Sequence, residues 1–229
     1  MIYERIEFHV SDEVLKLGLK GIYFSMGNLR NKRTDPEFEK MKEQFIEELL
    51  PNLSEEKIKE NPILEGFRQL HQLVGKSNRK NISSPENLYR NLLKNKQLPS
   101  INLIVDIYNL ISVKFFLAIG AHDLEKVSGN IHLRLTKGTE KFLPLGSDSL
   151  KQVGIGEYAY IDDDDDIICY LETKQVEKTK VTENSTDCFF IIQGNSATES
   201  DYLKSAADEL IGLLKKFCGG QPRMLFVSE

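Results

Sequence analysis

Apolar residues recur at intervals of three and four between residues 35 and 73, a spacing that predicts amphipathic helices. Asp35 is an N-cap residue followed by proline at the first helical position, and a helix is expected from there to about residue 50. Two further short helices are predicted to follow, with starts at Ser54 and at Asn61-Pro62. This region is therefore the helical N-terminal part of the chain.

A longer apolar stripe runs from residue 100 to residue 116 and predicts one long helix. Asn102, Asp106 and Asn109 follow each other at spacings of four and three, which places them in a polar row beside that stripe. A closing helix is predicted over 199–217, before Gly219-Gly220.

Between these helices the apolar runs become short and are separated by turn residues, which predicts a sheet. The predicted strands cover 131–136, 142–145, 158–161, 167–171 and 188–192, with a last one at 224–227. The first 30 residues predict two more strands, at 2–10 and 22–24, around a short helix. The combination is an α+β fold, with a sheet core and flanking helices.

Composition narrows the class of protein. The 229 residues are 40% hydrophobic and 28% charged, as in an ordinary globular protein. No apolar run approaches the about 20 residues of a membrane helix, and the N-terminus lacks a signal-peptide pattern, so we expect a cytoplasmic protein without membrane contact. Three widely spaced cysteines and four scattered histidines predict neither disulfides nor a metal site.

The motifs of several enzyme classes are missing. The chain has no GxSxG nucleophile elbow and no Walker A loop, and Gly154-Ile155-Gly156 lacks the third glycine of a dinucleotide fingerprint. Neither a cofactor nor a metal is predicted. The five consecutive aspartates at 162–166 lack the spacing of a calcium loop, and we interpret them as a solvated turn.

The formal net charge of the chain is −5, but the stretch from residue 76 to residue 96 contains six basic residues and only one acidic residue. This stretch is predicted to be a loop followed by a helix that begins at Ser84-Pro85. It is either a phosphate-contacting surface or an ordinary solvated face. The phosphate-binding candidates are Arg79, Lys80, Arg90 and Lys94.

Five sequence segments carry a resemblance to a known family: LPSINLIVDIYN at 98–109, IGAHDLEK at 119–126, IHLR at 131–134, PLG at 144–146 and the segment 172–182. In this order they resemble the B3/B4 domain of the phenylalanyl-tRNA synthetase β subunit, and the whole chain is similar to freestanding proteins of that family. The resemblance implies one domain over 1–229 with an α+β core at about 98–195. In the synthetase this domain hydrolyses the ester of wrongly aminoacylated tRNA.

The resemblance also implies a pocket where the long helix, a loop at 120–123 and the segment 171–179 meet. The family's Thr-Asn pair corresponds to Tyr108 and Asn109, and its histidine falls on Gly120, two residues before His122. Asn109, His122 and Glu172 are therefore the candidate catalytic residues. The candidate substrate-binding residues are Asp106, Tyr108, Gly120, Asp123, Leu171, Lys174, Lys178 and Thr179.

Two departures from the family change the expected chemistry. The family's small Ala-Gly pair corresponds to Leu171 and Glu172. Its editing glutamate corresponds to Lys178, so a carboxylate that orients water is replaced by a positively charged hydrogen-bond donor. His122 is either a partial substitute for the histidine or a packing residue. Lys174, Lys178 and Lys180 line one side together if they lie on a strand, or form a solvated edge.

Three functions remain open from the sequence. The first is a deacylase that removes a wrong amino acid from tRNA in trans, and the second is a module that binds tRNA or an amino-acid-like ligand without cleaving it. The third is a protein-interaction adaptor. The expected partner is tRNA or aminoacyl-tRNA rather than DNA, and the sequence does not fix the oligomeric state.

Overall fold

The computed structural model describes residues 2–228. It has an α+β fold with helices and two β-sheets. The helices are α1 Ile2–Arg5, α2 Asp12–Leu15, α3 Pro36–Leu49, α4 Glu55–Glu60, α5 Pro62–Leu73, α6 Ser84–Asn95, α7 Leu103–Phe115 and α8 Ser200–Cys218. The strands are β1 Phe8–Val10, β2 Lys20–Leu29, β3 Ala118–Asp123, β4 Ile131–Lys137, β5 Ile155–Asp162, β6 Ile167–Tyr170, β7 Lys174–Gln175, β8 Cys188–Gly194 and β9 Gly219–Val227. Among the described residues no helix has the length and apolar character to cross a bilayer.

The helix starts follow the capping residues of the sequence. The Asp35 carboxylate accepts hydrogen bonds from two backbone N–H groups of the first turn of α3, and the Asn61 side chain does the same for α5. Asn102 caps α7 by accepting from the Val105 N–H at 3.2 Å. The long helix therefore begins at Leu103, three residues later than the apolar stripe predicts.

The strands form two sheets rather than the single sheet expected. One has five strands in the order β1-β4-β5-β6-β7, and the other has four antiparallel strands in the order β3-β8-β2-β9. The four-stranded sheet is covered on both faces, so successive residues of β8 enter different cores. Phe190 packs with α7 and α8, whereas Phe189 packs against the five-stranded sheet.

Three predicted segments differ from the structure. Residues 2–5 form a helix, and 142–145 make a single isolated bridge, at Pro144, whose nitrogen cannot donate a hydrogen bond. The expected loop at 120–123 is part of β3, because it pairs along β8 with Gly120 opposite Ile191. That pairing is not local in sequence, so no nearby pattern indicates it.

Candidate functional site

A cavity of about 310 Å³ opens between α6, α7, β3 and the turn that follows β6. Five of the residues singled out from the sequence line it: Tyr108, Asn109, Gly120, Glu172 and Lys174. They come from separate elements, and the tertiary fold brings these five together.

Helix α7 supplies Tyr108 and Asn109. Tyr108 and Asn109 lie three and four residues after Val105, so all three side chains share the helix face that lines the cavity. Asn109 is 8% exposed, and its side-chain amide makes no hydrogen bond to any of the residues described. A buried amide without a protein partner is available to a ligand or to water.

Strand β3 supplies Gly120, whose missing side chain leaves room for Gln175. A Cβ atom at position 120 would lie 2.9 Å from the Nε2 atom of Gln175, which reaches over from β7. Gln175 also lines the cavity. Sequence reasoning missed this residue because its strand is only two residues long and its neighbour across the site is far away in sequence.

Glu172 enters the cavity from a tight turn after β6. Leu171, the residue before it, has φ = 51°, in the left-handed region that is costly for a leucine. The turn directs the Glu172 carboxylate inward, where Oε1 accepts from Nε2 of His71 at 2.5 Å and Oε2 accepts from the Tyr158 hydroxyl. Both carboxylate oxygens are therefore engaged by the protein.

His71 was not among the residues singled out from the sequence, because it lies on α5, outside the segments that carry the resemblance. Burial lowers the pKa of His71, but the adjacent Glu172 carboxylate, together with Asn81 and Asn78, raises it, and the net pKa is above its ordinary value. Burial, with Glu172 next to it, raises the pKa of the Tyr158 hydroxyl. The Glu172 carboxylate that lines the cavity is thus paired, behind the wall, with the buried His71 and with the neutral Tyr158 hydroxyl, neither of which lines the cavity itself.

Lys174 supplies a positive charge at the mouth. Its side chain is exposed, and no carboxylate among residues 2–228 lies within ion-pair distance of it. The cavity therefore combines side-chain amides, one paired carboxylate and one unpaired ammonium group. This set suits a small polar ligand that also offers apolar surface.

His122 and Thr179 lie outside the cavity lining and bind each other. Nδ1 of His122 is 2.9 Å from the Thr179 hydroxyl, and both residues are buried. Burial lowers the pKa of His122 to about 3, so its imidazole is neutral. Gly120 and His122 do share one face of β3, but the histidine packs between the sheets and does not reach the cavity.

Lys178 also lies outside the lining. Its ammonium group binds the carboxylates of Asp162 at 2.8 Å and Asp166 at 2.6 Å. The aspartate run is therefore a turn, as predicted, but not a fully solvated one, since Asp162 is 2% exposed. Strand β7 ends at Gln175, so the lysines at 174, 178 and 180 do not share a strand face.

Asp106, Asp123 and Leu171 support the surrounding backbone. Asp106 accepts from the Ile101 N–H at 2.8 Å before the start of α7, and burial raises its pKa. Asp123 caps the 3-10 turn Leu124–Lys126 and accepts from the Ser185 hydroxyl. None of these three side chains lines the cavity.

The basic stretch flanks the cavity. Helix α6 and the loop before it form one wall, where Ile82 and Leu88 add apolar surface. Arg79, Lys80 and Lys94 are exposed, whereas Arg90 is bound to Glu86 and Glu55. Among the described His, Cys, Asp and Glu residues no group of three or more is placed to hold a metal ion.

The α+β fold thus places one cavity where helix, strand and turn meet. The family model of the B3/4 domain matches residues 68–219, and the chain belongs to that family. The match begins before the expected core at about 98 and includes His71 and α6.

Solved structures agree on the fold. An N-terminal fragment of the phenylalanyl-tRNA synthetase beta-subunit from Pyrococcus horikoshii is similar, with a TM-score of 0.51 and 15% sequence identity. The similarity covers 95% of this chain and 50% of that fragment, so the chain spans half the length of its structural relative. No curated protein matches the sequence.

Proposed function

We propose that the cavity binds the amino acid at the 3′ end of an aminoacyl-tRNA and that the protein hydrolyses the ester bond in trans. The observation that carries this proposal is the convergence of Tyr108, Asn109, Gly120, Glu172 and Lys174 on one cavity. The resemblance to the synthetase editing domain implies a pocket where the long helix, 120–123 and 171–179 meet, and these five residues belong to those three segments. The B3/4 family membership is consistent with such a substrate.

The charge distribution favours a local contact with RNA. The chain as a whole is acidic, with a formal charge of −5, so its overall field repels phosphate. Arg79 and Lys80, in the loop before α6, and Lys94, on α6, are exposed, and the exposed Lys174 lines the cavity. A tRNA acceptor end entering the cavity passes next to these cations.

The hydrolytic step needs little chemistry from side chains. Water attacks the ester carbonyl carbon, the bond to the ribose oxygen breaks, and that oxygen takes up a proton originating from the water. The neighbouring ribose hydroxyl assists, and Asn109 orients the water or the carbonyl through its unpaired amide. Orientation of an already reactive ester is therefore the main role of the site.

A second function, binding without cleavage, is favoured by one observation. Both oxygens of Glu172 are held by His71 and Tyr158, and His122 does not reach the cavity, so neither candidate base is free there. In this case the domain recognises an aminoacylated tRNA or an amino-acid-like ligand and leaves it intact.

One experiment separates these functions. A panel of wrongly aminoacylated tRNAs is incubated with the wild-type protein, with Asn109→Ala and with Asn184→Ala, an exposed asparagine outside the cavity that serves as the matched control. We expect the wild-type protein to hydrolyse the ester of at least one member of the panel. Asn109→Ala is expected to lower the rate of this hydrolysis about tenfold or more, and Asn184→Ala to leave it unchanged. Salt-sensitive binding without ester loss would leave the binding function, and absence of both would exclude both.

A further inference from the structure

Two histidines that are far apart in sequence lie side by side on the five-stranded sheet. Strands β1 and β4 pair in parallel, and their register places His9 directly opposite His132. The two rings are stacked, with centroids 5.1 Å apart and planes inclined by 20°. The side chain of His9 is 52% exposed and that of His132 is 36% exposed, and neither lines the cavity. The pair is therefore a separate, solvent-accessible cluster that the proposed function does not use.

Carboxylates lie at the same edge of both rings. Nε2 of His132 is 2.7 Å from Oδ1 of Asp163. Nε2 of His9 is 3.5 Å from Oε2 of Glu7. Asn130 lies between the two acidic residues, since its side chain accepts from the Glu7 N–H at 3.1 Å and its own N–H donates to Asp163 at 2.8 Å. The two Nδ1 atoms therefore share the opposite edge of the stack, and neither has a hydrogen-bond partner in the described part of the chain.

This arrangement is suited to a transition-metal ion. A carboxylate beside Nε2 favours the tautomer with the proton on that atom, which leaves the lone pair of Nδ1 free for a metal. Histidines that bind metals usually donate their other ring N–H to a carboxylate or a carbonyl, as His132 is placed to do toward Asp163. The acidic turn at 162–166 adds negative charge nearby, which favours a divalent cation. Imidazole nitrogen suits Cu²⁺, Ni²⁺ and Zn²⁺ rather than Mg²⁺ or Ca²⁺.

We propose that His9 and His132 form a two-histidine binding site for a divalent transition metal. Both side chains are exposed, so a rotation of the two rings brings their Nδ1 atoms to one ion. Among the described His, Cys, Asp and Glu residues no group of three is placed to hold a metal, so water completes the coordination. Strand β1 lies at the edge of its sheet, and the bound ion joins it to β4.

Calorimetric titration of the full chain, without an affinity tag, with Ni²⁺ at about pH 8 tests the site. We expect one Ni²⁺ to bind per chain. The variants His9→Gln and His132→Gln are each expected to weaken binding about tenfold or more, because a single imidazole cannot chelate the ion. Glu13→Gln, at an exposed position on α2, is the matched control and is expected to keep the wild-type dissociation constant. Mg²⁺ is expected to bind at least about tenfold more weakly than Ni²⁺.

A second measurement locates the ion. Ni²⁺ held by imidazole and water is paramagnetic, so it is expected to broaden the amide NMR signals of 8–10 and 131–133 before those of α8. Loss of binding in both histidine variants but not in the control supports the site. Absence of Ni²⁺ binding to the wild-type protein, or tight binding that survives in either histidine variant, would overturn it. Equal affinity for Mg²⁺ would also overturn it, because the ion would then be held by the aspartates of the turn alone.

Discussion

At the scale of single residues, Leu171 has a strained backbone conformation and Glu172 places a buried charge beside it. Leu171 adopts a left-handed backbone conformation where the resembling family has a small residue, and it is fully buried. The next residue, Glu172, forms a buried pair with His71 that the sequence did not indicate. A strained turn that delivers a paired carboxylate is a frequent feature of functional sites.

The backbone strain at Leu171 leads to the first prediction. Both Leu171→Gly and Leu171→Ala lose buried apolar surface, but only glycine relieves the positive φ angle. We expect Leu171→Gly to be more stable than Leu171→Ala by about 1 kcal/mol, measured as the free energy of unfolding in urea. Leu133, buried on β4 without a positive φ, is the control, and the order is expected to reverse there. The same order at both positions would contradict the role of strain.

The second prediction concerns pH. The pKa of His71 is raised in the folded protein, so protonated His71 stabilises the fold fully below its unfolded pKa of about 6.5. That contribution is lost as the pH rises through the folded pKa. We expect the free energy of unfolding of the wild-type protein to fall as the pH rises above about 6.5, and His71→Gln to be less stable at pH 6 and to lack this fall.

His122 provides the matched control for that experiment, because its pKa is shifted in the opposite direction, to about 3. Its neutral form is buried, so protonation of the unfolded chain removes stability only as the pH falls through about 6.5. The variant His122→Gln is therefore expected to keep the fall above pH 6.5. If the His71 and His122 variants behave alike there, the His71–Glu172 pair does not cause the pH dependence.

At the scale of elements, strand β7 includes Lys174 but ends before Lys178, two lysines that the sequence analysis grouped together. Lys174 is at the cavity mouth without an ion-pair partner, whereas Lys178 joins the segment after β7 to the β5–β6 turn through two aspartates. A pattern of alternate lysines indicates a common face only if the strand continues, and here it ends at Gln175.

This difference predicts opposite effects of two equivalent substitutions. Lys178→Met leaves the buried Asp162 without its cation and is expected to lower the free energy of unfolding by about 2 kcal/mol, with unchanged tRNA affinity. Lys174→Met is expected to change stability by less than about 0.5 kcal/mol and to weaken tRNA binding and its salt dependence. Urea unfolding and filter binding over a salt series test both, and weaker RNA binding by the folded Lys178 variant would contradict the assignment.

On the scale of the whole molecule, the four-stranded sheet is shared by two hydrophobic cores. Ile22 and Phe24 of β2 belong to the core with α7 and α8, and Tyr23 between them belongs to the core against the five-stranded sheet. The cavity lies where the two layers meet, since Ala118 and Gln193 of one sheet line it together with Tyr160 and Cys169 of the other. Its shape therefore depends on both cores.

The shared sheet leads to the prediction that the chain unfolds as one cooperative unit. We expect a single urea transition, with native-state amide exchange giving the same highest opening free energy for β4 in one core and α8 in the other. The apolar surface buried on both sides of β2 provides the coupling, because neither core persists without that strand. Two separate transitions, or protection in α8 well above that in β4, would instead indicate two domains.

Local pattern alone determined much of this protein. The capping residues Asp35 and Asn61, the stripe of α7 and the α+β class are visible in the sequence because they depend on neighbours within a few positions. The resemblance implies a pocket at the long helix, 120–123 and 171–179, and some residues of each of these segments line the cavity. The tertiary structure decided which side chains face it, because strand order and register depend on partners far apart in the chain: β3 against β8, α5 against the turn after β6, and Gln193 between two small residues.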